Sequence, residues 1–270
     1  MGRLRRLARR LVPAGDESWL EHIPEADRVV VSRAMRLMDR VAGYHRYEVR
    51  GTEHIPEVGG ALIVTPHTAV TIDGLVLGAQ ILRHRGRFVR ALGDHQLMEF
   101  PVLGDLLTRL GAVDGRRENA MKILREGRLC FVMPGGAREA WQPVHRRHDL
   151  TWDGHTGFIK VALRAQVPII PAVTIGAAET MWLPFHALDW GKRLLGVRWP
   201  LIPPLGIGLT PVPIPTKWTA HIGLPIPVEH PPEAAEDPRV VQALHTQVRD
   251  TVASMLAEGY RDHRLFGGRT

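Results

Sequence analysis

The stretch "VTPHTAVTIDGL", residues 64–75, places an imidazole and a carboxylate six positions apart, His67 and Asp73, at the end of an apolar run. An imidazole whose one ring nitrogen is fixed by a hydrogen bond offers the other as a general base, able to take a proton from a hydroxyl near neutral pH. Six positions along an ideal α-helix turn through about 240°, so the two side chains cannot share one helix face and must straddle a turn. Pro66 drives Thr65 toward extended backbone, which ends a strand at His67. Asp73 then falls near the start of the next helix, where a carboxylate suits the positive end of the dipole and can accept from one imidazole nitrogen. With 14 histidines and 28 acidic residues in the chain, such a spacing also arises by chance, so its weight comes from the groups that follow.

Two further stretches carry anion chemistry. "LGAVDGRRENA" (110–120) sets two arginines before a helix-like segment, and "FVMPGGAREAW" (131–141) sets two glycines and an arginine directly after an apolar run. Consecutive glycines let the backbone turn N–H groups toward an anion or a developing oxyanion, and Arg138 adds a fixed positive charge. Taken singly, each is a turn and a solvated face; their order along the chain is what informs.

The elements that must position these groups alternate. A helix is expected over 25–42, with Val29, Val30, Ala34, Leu37, Met38 and Val41 along one face. Short β-like runs follow at 44–50, 61–65, 87–92, 128–133 and 168–175, separated by helix-length segments near 74–84, 100–109, 117–126 and 156–166. A last strand near 219–224 and a helix from about 238 to 264, buried through Val240, Val241, Leu244, Val248, Val252, Met255 and Leu256, close the chain. This alternation predicts an α/β fold with a central, largely parallel sheet flanked by helices, preceded by an N-terminal helical segment. Ligands of such sheets gather beyond the carboxyl ends of the strands, where His67 and the Gly135–Gly136 pair both fall. Residues 1–24 form a basic N-terminal segment and 25–270 a single domain. Within the first, Leu4, Leu7, Leu11 and Val12 lie among arginines at helical spacing, which fits either an amphipathic helix on anionic lipid or a solvated terminus. Residues 194–215 are apolar and proline-rich with one charge, Arg198, and are expected to pack over the body or lie in a membrane interface.

Composition narrows the partners. A net charge of +7 favours polyanions, and with only 6% aromatic residues, no basic-aromatic strand and a single cysteine, nucleic acid is set aside in favour of an anionic membrane surface. No apolar run spans a bilayer and the first twelve residues lack a secretory signal pattern, so the expectation is a cytoplasmic protein lying peripherally on the inner face of a membrane. Cys130 in "LCFVM" reads as a small core residue. The "HRRH" run, 145–148, spaces two histidines three apart without a third ligand nearby, so no metal is expected and a solvated basic face is. No Gly-x-Ser-x-Gly elbow, phosphate-binding loop or dinucleotide fingerprint occurs.

In combination the blocks resemble the glycerolipid acyltransferase superfamily, the group that includes 1-acylglycerol-3-phosphate acyltransferases. "PHTAVTID" (66–73), Gly111 with Arg117, "PGGAR" (134–138) and "VPIIPAV" (167–173) follow that family's order. Five residues rather than four separate His67 from Asp73, and Gly135 and Ala137 stand where the main branch has glutamate and threonine. Together with "GGAREA" and "GFIK", these departures look more like the diacylglycerol and neutral-lipid branch, and away from a lysophosphatidate acceptor. The resemblance implies direct acyl transfer from a thioester donor, acyl-CoA or acyl-carrier protein, to the hydroxyl of a lipid acceptor, with no resident cofactor and no acyl-enzyme. In that reading His67 and Asp73 are catalytic, and Arg117, Gly135, Gly136, Arg138 and Glu139 bind substrate. Glu179 fits either an acceptor pocket or a helix cap. The competing reading is a lipid-surface binding protein of the same fold without catalysis.

Overall fold

The computed structural model describes residues 27–69, 71–99, 101–183, 204–261 and 263. The basic segment 1–24 and the first part of the proline-rich stretch, 194–203, lie outside the described residues.

Helix α1, Arg28–Tyr44, opens the described chain, with Asp27 capping it by accepting from the backbone N–H groups of Val29 and Val30. A seven-stranded sheet follows, built from β1 (Glu48–Arg50), β2 (Ala61–Val64), β3 (Val89–Gly93), β4 (Val113–Asp114), β5 (Leu129–Val132), β6 (Ile169–Ile175) and β7 (Thr219–Ile222), in the order β1-β7-β6-β2-β5-β3-β4. Every pairing is parallel except that of β6 with β7. Helices α2 (Ile72–Arg85), α3 (His95–Met98), α4 (Pro101–Arg109), α5 (Arg117–Arg125), α6 (Gly136–Ala140), α7 (Gly157–Ala165) and α8 (Pro238–Arg261) make the connections. The largely parallel α/β sheet expected from the alternation is therefore present. Its central strands β2 and β6 are buried at every position, as strands covered on both faces must be. Three short elements had no expectation: the four-residue α3, β4, only two residues long, and the five-residue α6.

Helices cover the sheet on two sides. On one, Ile123, Leu124, Phe158, Ile159, Leu163, Val241, Leu244, Val248 and Val252 pack against Leu62, Val64, Ile169 and Val173. The expected stripe of α8 is the one that packs here. On the other, Leu77 and Ile81 of α2 pack against Ile63, Phe131 and Ile170. Cys130 lies fully buried in the sheet, and burial pushes its thiol up to about 12.

Helix α1 buries a face turned from the expected one and shares with it Met38 and Val41. Val31, Met35 and Met38 are buried against Val76, Leu82 and Trp218, while Val29 and Leu37 face outward. The apolar residues of this helix form one broad arc, with Val29 standing apart, and the partner decides which part of that arc is buried. That partner is centred on Trp218, whose ring stacks on His45 at 3.8 Å between centroids and whose indole N–H donates to Thr180 Oγ1 at 2.9 Å. The beginning of β7 is thereby tied to α1 and to the segment that follows β6. Replacing Trp218 by Phe keeps most of the apolar area and removes the donor, so denaturant unfolding should show a loss of about 1–2 kcal/mol.

Candidate active site

The carboxyl ends of β2, β5 and β6 converge on one cavity, lined among others by His67, Thr68, Asp73, Glu139, Arg147, His148, Thr174 and Tyr260. Strand β2 ends at Val64, and the turn through Pro66 brings His67 to the wall, as the Pro66 argument required. Asp73 falls in the first turn of α2, whose preceding residue, Thr71, has the left-handed φ of +56°. Both residues thus reach the same cavity from opposite sides of a turn.

They are not joined directly. His67 Nδ1 lies 2.9 Å from the backbone carbonyl of Thr68, and the Thr68 hydroxyl donates to Asp73 Oδ1 at 2.6 Å. The imidazole–carboxylate hydrogen bond expected from spacing is replaced by one residue that meets the ring with its carbonyl and the acid with its side chain. A carbonyl only accepts, so Nδ1 carries the proton and the neutral ring keeps its lone pair on Nε2. Burial lowers the pKa of His67, partly offset by the Thr68 carbonyl, so the ring is neutral at physiological pH and available as a base. Asp73 is pushed up to about 6 by burial, against hydrogen bonds from the Thr68 hydroxyl and from backbone amides.

Glu139 holds the other side of the histidine. Its Oε2 accepts from the His67 backbone N–H at 2.8 Å and the Trp152 indole N–H at 3.2 Å, and its Oε1 from the Thr151 N–H at 3.2 Å. Burial still raises it to about 7, because these donors only partly replace lost hydration. This carboxylate, expected to bind substrate, lines the cavity and is at the same time occupied by three protein donors that tie it to the His67 loop. Gly135 is what admits it: a Cβ there would stand 2.5 Å from both Cβ and Oε2 of Glu139.

The remaining expected residues are placed differently from one another. Gly136 has a φ of +53°, a conformation that favours glycine, and its N–H already donates to the Met133 carbonyl at 3.0 Å. It is therefore spoken for as an oxyanion donor in this conformation. Arg117 at the start of α5 and Arg138 on α6 are exposed, and neither lines the cavity. Arg117 sits instead beside Gly157, whose Cβ would lie 3.5 Å from its Nε.

Arg147 and His148 of "HRRH" line the cavity wall, although all four residues of the run are exposed, as its reading as a solvated face expects. His148 Nε2 lies 2.6 Å from Glu179 Oε1, and Arg147 Nε donates to the same oxygen at 3.3 Å. Tyr260, near the end of α8, donates to Glu179 Oε2 at 2.9 Å and stacks on His148 at 4.2 Å. Burial raises Glu179, but the bonds and charge of His148, with Tyr260 and Arg147, outweigh it and hold the carboxylate below its usual range. Glu179 is thus neither a surface cap nor a free pocket acid but the buried anchor of this cluster. Thr68, Arg147, His148 and Tyr260 were missed as site residues; the only sequence signal was "HRRH" itself, since its buried partner lies 31 residues on and Tyr260 farther still. Among the described residues no group of three or more His, Cys, Asp or Glu could hold a metal ion.

The sheet thus carries a histidine and an aspartate at its carboxyl edge, and comparison with known proteins identifies the family. The family model described as acyltransferase matches residues 46–175. The chain belongs to this acyltransferase family. It is 35% identical over 241 residues to a bovine protein named "DGAT1/2-independent enzyme synthesizing storage lipids", covering 85% of this chain and 69% of that protein. The human protein of the same name is 36% identical over 232 residues, covering 81% and 68%. The crystal structure of the 1-acyl-sn-glycerophosphate acyltransferase PlsC from Thermotoga maritima shares the fold, with a TM-score of 0.54 and 17% identity over 86% of this chain and 81% of that one.

Two measurements test the site's construction. Gly135→Ala forces its methyl group into Glu139 and should cost about 1–3 kcal/mol in thermal or denaturant unfolding. Asp73 and Glu139 bind protons more tightly folded than unfolded, where their values are near 3.8 and 4.5. Their contribution to stability is therefore full at low pH and is lost as pH rises through about 6 and 7. Asp73→Asn, which still accepts from Thr68, should flatten the fall between pH 4 and pH 7 by on the order of 3 kcal/mol, read from denaturant midpoints across that range.

Proposed function

We propose that this chain transfers a fatty acyl group from a thioester donor, acyl-CoA or acyl-carrier protein, to the hydroxyl of a neutral lipid alcohol such as diacylglycerol, as a peripheral protein at the cytoplasmic face of a membrane. His67 Nε2 takes the proton of the acceptor hydroxyl as its oxygen attacks the thioester carbonyl carbon. The tetrahedral intermediate collapses by breaking the carbon–sulfur bond, and the imidazolium returns the proton to the departing thiolate. Ester and free thiol are the products, and no acyl-enzyme forms. Asp73 acts through Thr68 and through its own charge, which favours the transient imidazolium.

The observation that carries this reading is the Nδ1 contact with the Thr68 carbonyl, because it fixes the tautomer whose free lone pair lies on Nε2 in a cavity wall. A neutral acceptor is supported by two features. Arg117 and Arg138 stand outside the cavity, and the arginine that lines it, Arg147, is engaged by Glu179 together with His148. The names of the bovine and human relatives, which refer to storage lipids, agree with an acceptor of that kind. Among the described residues no helix is long and apolar enough to cross a membrane.

Thiol release from acyl-CoA in the presence of diacylglycerol tests the proposal. His67→Ala should lower kcat by about 10²- to 10⁴-fold while leaving the melting transition cooperative. Equal release by both proteins would refute the base assignment. Thr68→Val keeps the carbonyl that holds Nδ1 and deletes only the hydroxyl, so its loss should be smaller, about tenfold, with KM little changed. A Thr68→Val enzyme as inactive as His67→Ala would show that the hydroxyl does more than connect Asp73.

A further inference from the structure

Beyond the cavity, the described part of the proline-rich segment forms an exposed apolar loop. Trp182 and Leu205 exchange backbone hydrogen bonds at 2.7 and 2.9 Å, and above them Gly206 N–H donates to Thr210 and Ile207 N–H to Val212. The loop so closed exposes Ile207, Leu209 and Val212, with Leu209 68% accessible and Trp182 half-exposed at its base. Leu209 is held with a left-handed φ of +63°, a backbone that leucine adopts at a cost, in order to stand outward at the tip. From Pro204 to Thr216 the sequence contains no charged residue.

What borders the loop has the opposite character. On α1, Arg33, Arg36, Leu37, Arg40 and Tyr44 fall within an arc of about 100°, all of them exposed. The nearest acid, Asp39, lies off that arc and is paired with Arg83. The helix reaches the loop directly: the Tyr44 hydroxyl donates to the Pro213 carbonyl and Arg46 Nη2 to the Pro215 carbonyl, each at 2.6 Å. An apolar tip, aromatic rings at its base and arginines alongside follow the order in which a bilayer changes from hydrocarbon to interface to anionic headgroup. A protein partner adding a strand here would meet Pro211, Pro213 and Pro215, which have no N–H to give.

We propose that the 205–212 loop inserts into the headgroup region of an anionic bilayer, with the Arg33–Arg36–Arg40 face of α1 lying on the surface beside it. The loop is rooted beside the cavity, since Ile214 N–H donates to the Thr180 carbonyl in the segment that supplies Ala178 to the cavity wall. Docking there brings the cavity to the lipid phase that holds the acceptor; in this respect the inference rests on the acyl-transfer reading, although membrane contact is measured without turnover.

The buried Cys130 thiol, pushed up to about 12, leaves an introduced cysteine as the site of labelling. The full chain carrying Leu209→Cys, labelled with an environment-sensitive fluorophore, is titrated with phosphatidylcholine vesicles with and without phosphatidylglycerol. Thr246→Cys on the exposed side of α8 is the control. A blue shift at 209 with anionic vesicles and none at 246 is expected. In sedimentation with the same vesicles, Leu209→Glu should weaken binding about tenfold or more, and Arg33→Glu with Arg40→Glu about tenfold with loss of salt sensitivity. Vesicle binding without a shift at 209, no vesicle binding, or a lipid-free dimer that Leu209→Glu dissociates would each overturn the proposal. Turnover separates it from the chemistry. Leu209→Glu should lose activity on vesicle-borne acceptor and keep it on detergent-dispersed acceptor, and equal loss on both would overturn the docking role. A wild-type protein that binds vesicles through residue 209 but transfers no acyl group would instead remove the enzymatic reading and leave the docking surface standing.

Discussion

The hydrogen bond from the His67 backbone to the buried Glu139 carboxylate is the constraint on which the site depends. It fixes a loop leaving β2 to the short helix that follows β5, two neighbouring strands whose register is itself set by parallel pairing from Ala61 to Val64. Trp152, fully buried, gives its only polar atom to the same carboxylate, so the acid links the hydrophobic core to the cavity wall. A charge in that position is costly unless every donor is in place. Its raised pKa measures the part of that cost left unmet.

The cavity then divides its electrostatics. Asp73 and Glu139 surround a neutral imidazole with acids raised toward neutrality, while Glu179 on the far side is kept ionised by the side chains that clasp it. Two raised carboxyls beside a lowered histidine is a proton-handling environment. The Glu179 cluster is structural by contrast: it joins the end of α8, the loop after α6 and the end of β6 around one buried carboxylate.

Much of this was legible in the chain. Alternating apolar runs and helix-length segments gave the α/β sheet because strands buried on both faces are short and uniformly apolar, and helices between them carry a periodic stripe. Pro66 predicted that the chain leaves the strand near His67 because the steric rule is local, although β2 ends three residues earlier, at Val64. The buried part of α1 was not legible, since its apolar arc is wider than the contact and Trp218, far along the chain, decides which side chains are covered. Nor was the division of arginines: Arg117 and Arg138 sit in the expected blocks yet do not line the cavity, whereas Arg147 of the exposed "HRRH" run reaches it beside Glu179.

By itself the sequence determined where most of the strands lie, the sheet's largely parallel character and the presence of a histidine and an aspartate beside one turn, because each follows from interactions within a few residues or from a repeating period. Only the tertiary structure decided that Thr68 stands between the two, that Glu139 accepts from the His67 backbone, and that Gly135 leaves the room for it. Those facts depend on atoms brought within 3 Å from elements tens of residues apart, and hydrogen bonds at that range leave no period or spacing in the chain.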